Sequence, residues 1–200
     1  IRVETVEELF DHAIAFSQQP LPKGNRVAIV TNAGGPGIMA TDAVIRHGLQ
    51  LAKFDPKTIE DLKKNLPETA NVNNPVDVIG DARHDRYEAA IESVMKDPNV
   101  DGVVVILTPQ AMTDIREIGE VVANVAQSMK SAPWTAKPLL ASFMGIVDVS
   151  EGVHILEKAS VPHYIFPEAA VRALAMMNDY QTKWLSRPRT DVKNFPVQKE

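Results

Sequence analysis

Residues 27–43 read VAIVTNAGGPGIMATDA. Gly34, Gly35 and Gly37, with Pro36 among them, stand between an apolar run and a helix that the pattern places from about Gly37 to His47. Glycine permits positive φ and removes side chains that would block a close approach. A helix N-terminus adds free N–H groups and the positive end of the helix dipole. Such a turn is suited to hold an anion, phosphate above all. A second stretch, TPQAMTD at 108–114, follows the run DGVVVILT and leads into another helix, with Thr108 and Pro109 expected at the N-cap and first helical positions. Two nucleotide-binding patterns fail here. No lysine follows the glycines as in G-x-x-x-x-G-K-[ST], and the spacing G-G-x-G then Met39 is not G-x-G-x-x-G. A purely structural turn accounts for the glycines alone. Two such loops at one sheet edge favour an anion or phosphate site.

Other candidates have plainer readings beside chemical ones. The histidines are His12, His47, His84, His154 and His163. His12 and His47 are expected near the surface and near a helix end, His154 within a helix and His163 at the start of a strand, while His84 lies nearest the proposed site. No H-x-x-x-H or H-E-x-x-H spacing supports zinc, and the chain has no cysteine for a disulfide, a thiolate nucleophile or a metal thiolate. Asp77 and Asp81 have the chemistry of general bases or Mg²⁺ ligands, but aspartates in such loops more often cap turns and helices. Asp81 or Asp85 is expected to cap the helix that contains Tyr87. The Asn32 amide is able either to orient a phosphate or to hold the turn. Met39, Met112 and Met144 belong to the core or line a small acyl pocket.

The elements that must place these residues alternate. The segment ETVEELFDHAIAF carries a capping-box pattern (Thr5 with Glu8) and an apolar stripe of Val6, Leu9, Phe10, Ala13 and Ile14. Buried strands are expected at 26–31, 49–54, 101–108, 137–143 and 162–166. Helices follow at 37–47 (ended by Gly48), 55–66, 86–96, after Thr108, at 149–159 and from Pro167. Residues 71–85 read as a long irregular stretch with a short apolar run. This order predicts an α/β, flavodoxin-like three-layer sandwich: a mainly parallel five-stranded sheet, order 2-1-3-4-5, with helices on both faces. Its ligand site belongs at the carboxyl ends of the first and third strands, where the order reverses.

Bulk properties narrow the function. The chain has 200 residues, 44% hydrophobic, 24% charged and a formal net charge of −5. It is long enough to bury a real core, and it gives no strong attraction to nucleic acid or anionic membrane. No apolar run approaches a bilayer span and no signal peptide is evident, which fits a cytoplasmic protein. Starting at Ile1 and ending in RPRTDVKNFPVQKE, it reads as cut from something longer: one domain over 1–186, with 187–200 the start of a linker.

The stretches VAIVTNAGGPGIMATDA, NPVDVIGDA, DGVVVILTPQAMTD, KPLLASFMG and FPEAAVRAL resemble the acyl-CoA synthetases of the NDP-forming type, such as acetate–CoA ligase (ADP-forming), relatives of succinyl-CoA synthetase. The resemblance runs through the whole chain in order. It identifies residues 1–186 as the flavodoxin-like ligase-CoA module and 187–200 as the start of a linker toward an ATP-grasp module. It implies the reaction acid + CoA + ATP = acyl-CoA + ADP + phosphate, through an acyl phosphate and a phosphorylated histidine. It further implies a phosphate-facing turn of Asn32, Ala33, Gly34, Gly35, Pro36 and Gly37, a second lip of Thr108, Pro109 and Gln110, and a third stretch of Asn74, Pro75, Asp77, Gly80 and Asp81. The family's active histidine lies in an SHTG-like segment. None occurs here, so that histidine is expected upstream of Ile1 and no catalytic residue or metal site in this chain. CoA, ATP or ADP, Mg²⁺ and phosphate belong to the full-length protein, whose CoA-binding, phosphohistidine and ATP-grasp modules are the implied partners, with a small carboxylic acid as substrate and an oligomeric full-length form. The same module also occurs in protein lysine acetyltransferases as a ligand sensor, an alternative the sequence leaves open. A flavin-binding module is disfavoured because no hydroxyl-rich phosphate loop follows the first strand.

Overall fold

The computed structural model describes residues 1–130, 136–145 and 148–187. Its strands are β1 (Arg26–Thr31), β2 (Gln50–Leu51), β3 (Val76–Asp77), β4 (Gly102–Leu107) and β5 (Leu139–Phe143). The helices are α1 (Val6–Gln18), α2 (Gly34–Arg46), α3 (Pro56–Asn65), α4 (His84–Lys96), α5 (Ile115–Lys130), α6 (Ser150–Lys158) and α7 (Pro167–Asp179), the last running into a π-helical turn over Tyr180–Leu185. All paired strands are parallel, in the order β2-β1-β4-β5.

That order agrees with expectation, but the edges are built differently. The predicted strand at 49–54 shrinks to two residues, and the one at 162–166 to a single bridge between His163 and Ala141. The fifth strand is instead β3, inside the stretch read as irregular. β2 and β3 share one edge of β1, β2 beside Arg26 and Val27 and β3 beside Val30 and Thr31. Asn74 fills the gap between them. Its Oδ1 accepts from Ile29 N at 3.0 Å, and its Nδ2 donates to Val27 O (2.7 Å) and Ala52 O (3.1 Å). A side-chain amide thus satisfies backbone groups that would otherwise be orphaned in a buried sheet.

Strand alternation divides the core. Ala28, Val30, Val103, Val105 and Leu107 face α3–α6, whereas Val27, Ile29, Val104 and Ile106 face α2 and α7. Local chemistry sets the helix ends. Thr5 Oγ1 accepts from Glu8 N, Asp55 caps α3 ahead of Pro56, and Gly48 takes φ +75° after α2. α5 and α6 cross at glycine on glycine: a Cβ on Gly119 would lie 3.1 Å from Gly152 Cα.

α1 reverses its expected orientation. Val6, Leu9, Phe10 and Ile14 are exposed, Phe10 to 62%, and Ala13 is exposed as well. The face turned to the body carries Ala15 and His12, the latter only 4% exposed rather than near the surface. Polar contacts fix that orientation. Asp11 receives Arg172 Nη2 at 3.1 Å, Tyr164 donates to Asp11 O, and Gln19 reaches Leu139 N and Ser160 O.

Candidate functional site

At the carboxyl edge of the sheet, α2 begins at Gly34, three residues earlier than the sequence pattern places it. Its first helical hydrogen bond runs from Gly37 N to Ala33 O (3.2 Å). Gly34 and Gly35 therefore offer N–H groups with no intrahelical acceptor, and Pro36 has none to offer. Ala33 supplies no capping side chain, and the first turn holds no acidic residue. Among the described residues, α2 is the only α-helix with neither device. α1 and α3 carry capping side chains, and α4, α5, α6 and α7 carry Asp85, Glu117, Glu151 and Glu168 in their first turns.

Of the two properties that glycine offers, these residues use close approach rather than positive φ. Among the glycines, positive φ occurs at Gly48 and Gly145 and at none of the three. A Cβ on Gly35 would meet nothing within 4 Å, and one on Gly34 only Asp77 Oδ2 at 3.9 Å. Gly37 differs, since a Cβ there would press within 3.1 Å of Thr31 Cγ2. Gly34 and Gly35 leave an open cradle; Gly37 lets α2 pack on β1.

Asn32, 3% exposed, is committed to structure. Its Nδ2 donates to Thr108 O and its Oδ1 accepts from Thr108 N, both at 2.8 Å. Of its two expected roles it takes the structural one, tying the β1–α2 turn to the lip after β4. That lip does not begin a helix at Thr108 and Pro109 as expected. α5 starts at Ile115, with Ile118 N bonding Asp114 O. Residues 110–113 close on themselves instead: Gln110 N donates to Thr113 Oγ1 and Thr113 N to Gln110 O. Thr108 Oγ1 is buried at this junction without a hydrogen-bond partner. Gly145, at φ +144°, lets β5's exit pass Pro109, where a Cβ would lie 2.9 Å from Pro109 Cδ.

The third stretch divides. Asn74 lies within the sheet edge and Pro75 packs beside Gly37, joined by a cis peptide, so neither faces the cradle. Asp77 does: it leans toward Gly34 and accepts from Ile79 N through its other oxygen. Gly80 lies against Gln110 and Asn32 O. Asp81 points away, exposed and 2.6 Å from Arg86 Nη1, whose guanidinium holds its carboxyl below the usual range. Neither Asp81 nor Asp85 caps α4, which starts after Arg83 with no capping side chain. His84 opens α4, and its Nδ1 lies 2.6 Å from Asp114 Oδ2, a contact that raises the imidazole pKa above 6.5. Sequence reasoning missed Asp114, thirty residues away; only the parallel stacking of α4 and α5 beside one another brings the two together.

Of the methionines, Met39 and Met112 are exposed rather than core, and Met144 packs against the β1–β4 layer. Among the described residues no group of three or more His, Asp or Glu is placed to hold a metal ion. A groove of about 550 Å³ between α3 and α4, lined by Asp55, Asp61, Glu92 and Lys96, belongs to the opposite end of the sheet, where α4 ends. The edge can thus orient an anion with main-chain N–H groups.

The sequence model of the Ligase-CoA domain matches residues 27–186. The chain is 35% identical, over its full length, to the ADP-forming 4-hydroxybutyrate–CoA ligase of Nitrosopumilus maritimus. It is 44% identical over 90% of its length to the ADP-forming acetate–CoA ligase of Methanocaldococcus jannaschii. It spans 27% and 25% of those two proteins. An acetyl-coenzyme A synthetase of Candidatus Korarchaeum cryptofilum, solved with phosphate and ADP, superposes with a TM-score of 0.80 at 30% identity, covering 93% of this chain and 40% of that one. The matched span opens on β1 and closes just past the π-helical turn, enclosing every strand and the bare N-terminus of α2: this chain belongs to the Ligase-CoA domain family.

Proposed function

We propose that this chain is the ligase-CoA module of a larger ADP-forming acyl-CoA synthetase, acid + CoA + ATP = acyl-CoA + ADP + phosphate. The observation that carries the reading is α2's first turn, alone among the α-helices of the described residues in having neither cap nor carboxylate. There it presents Gly34 and Gly35 N–H groups to a phosphoryl group carried on a histidine of another module. Thr108 and Gln110 form the facing lip, and Asp77 and Gly80 the third side. The contribution is electrostatic: pre-oriented dipoles stabilise a charged group in transit without reorganising. The names of the relatives and the parallel sheet support this reading. A small carboxylic acid is the co-substrate, while CoA, ATP or ADP and Mg²⁺ are assigned to the CoA-binding and ATP-grasp modules of an oligomeric whole. Exposed Ile38, Met39, Ile165 and Phe166, all just beyond the carboxyl edge, supply apolar surface on which the histidine-bearing module docks.

The test uses the longer protein with its phosphohistidine module. Gly35→Asp puts a carboxylate into open space on the cradle, so it leaves the fold intact. It is expected to cut phosphohistidine formation by about tenfold or more. A folded variant with normal phosphoenzyme would contradict the assignment.

A further inference from the structure

The lip at residues 109–113 is held at its two ends. Among the described residues, its internal hydrogen bonds join Gln110 and Thr113 to each other, and none reaches another element. At one end, Thr108 is bonded to the Asn32 amide. At the other, Asp114 is bonded to His84, the residue that follows the third stretch. Asn32 is a neutral amide that no physiological pH alters. His84 changes charge near neutrality.

The surroundings of His84 are acidic from both elements that meet there. Asp114 touches it from the start of α5, Glu117 acts from the next turn of α5, and Asp85 acts from α4 itself. Nearby Arg86 is occupied with Asp81 and Val78 O. The other Asp114 oxygen, Oδ1, is buried without a hydrogen-bond partner, so among the described residues His84 is the one side chain hydrogen-bonded to this carboxylate. The contact is half exposed, with His84 at 47% and Asp114 at 21% side-chain exposure.

We infer that His84 is a positioning residue: with Asp114 it forms a proton-operated clasp that fixes the 109–113 lip against the third stretch and so sets the site's affinity for an anion. Deprotonation leaves a neutral donor facing the carboxylate and removes the ionic part of the hold. Because the pKa is raised, the clasp is complete below about 6.5 and weakens as pH rises through the higher folded value. The binding part of the inference rests on the anion site proposed above; the lip movement does not.

Two readouts on the 200-residue chain separate them. In a pH titration followed by amide NMR, Gln110–Thr113 signals are expected to move with the His84 imidazole midpoint. His84→Gln should abolish that movement, and Asp114→Asn should lower the midpoint. Lip amides that ignore the His84 titration would overturn the clasp, whether or not any anion binds. The second readout is sulfate binding, since sulfate keeps its charge across neutral pH. Affinity should fall roughly two- to fivefold on His84 deprotonation, the range an exposed ion pair supplies. Asp114→Asn discriminates sharply at low pH. Simple removal of a negative charge would strengthen sulfate binding, whereas loss of the clasp weakens it. Stronger binding in Asp114→Asn overturns the positioning role. If wild type binds no sulfate while the lip still follows His84, the clasp stands and the anion reading fails.

Discussion

Replacing Asn32 with alanine removes the one side chain that, among the described residues, hydrogen-bonds the β1–α2 turn to the lip after β4. Two hydrogen bonds of 2.8 Å go with it, one in each direction, and Thr108 N–H and C=O lose their partners in a part-buried junction. A buried polar group left unsatisfied costs about 1–3 kcal/mol, less where water reaches it. Two such groups put the loss for Asn32→Ala at about 2–4 kcal/mol. For a domain of this size that corresponds to a fall in melting temperature of roughly 4–16 °C. Asn32→Asp is the informative companion: Oδ still accepts from Thr108 N, but the lost donor leaves a carboxylate facing Thr108 O, so it should fare no better than alanine. The assay is urea unfolding of the 200-residue chain at neutral pH, with the m-value as a check that the transition is unchanged in kind. A loss below about 1 kcal/mol for Asn32→Ala would refute the reasoning, because it would mean that the two lips are joined by something other than this amide.

Four further outcomes follow from the same geometry. Gly119→Ala drives a Cβ to 3.1 Å from Gly152 backbone and should destabilise by about 1–3 kcal/mol, read by thermal melting. Gly35→Ala meets nothing and has ordinary φ, so it should be neutral to about 1 kcal/mol more stable in the same experiment; a clear loss would show that Gly35 is kept for folding rather than approach. Asp77→Asn removes a like charge beside the cradle and should tighten inorganic phosphate binding by roughly fivefold, the factor given by about 1 kcal/mol in water-like surroundings, as measured by calorimetry. His12 is buried without a hydrogen-bond partner, and burial holds its pKa below 6.5. Below that pH the unfolded chain binds a proton that the native state resists, so stability falls as pH drops toward the lowered value. His12→Leu should flatten that acid limb of urea midpoints without abolishing it, since His47 and His163 are shifted the same way; an unchanged slope contradicts this.

Much of the fold was legible because β1 and β4 are continuous β-branched runs and because α1, α3 and α7 show their starts in residue type. Thr5, Asp55 with Pro56, Gly48 and Pro167 behave as their chemistry dictates. The failures share a cause: tertiary partners that no local pattern records. The stripe on α1 has strong helical period, yet Arg172 and Tyr164 hold Asp11 and turn that stripe to solvent. The short β3 was hidden because it has only two residues and the gap between it and β2 is filled by a side chain, Asn74, rather than by backbone. The run 162–166 looks like a strand by composition but pairs its backbone with β5 in a single bridge. At the site, the glycine turn and the facing lip were correctly set at one edge of the sheet. The roles inside them were not legible, because an amide that could hold a phosphate and one that holds Thr108 have the same sequence. Thr108 and Pro109 misled for a similar reason: they have the residue types of a helix start, but the chain spends five more residues, four of them in a closed turn, before α5 begins.

The central claim is that the bare first turn of α2 receives an anion. It is tested most directly by titrating the isotope-labelled chain with inorganic phosphate and following backbone amides. The account predicts saturable shifts at Gly34, Gly35 and Gly37, accompanied by Thr108 and Gln110 on the facing lip, all greatly weakened in Gly35→Asp. Shifts absent at high phosphate, or unchanged in that variant, would contradict it and leave the glycines as a structural turn.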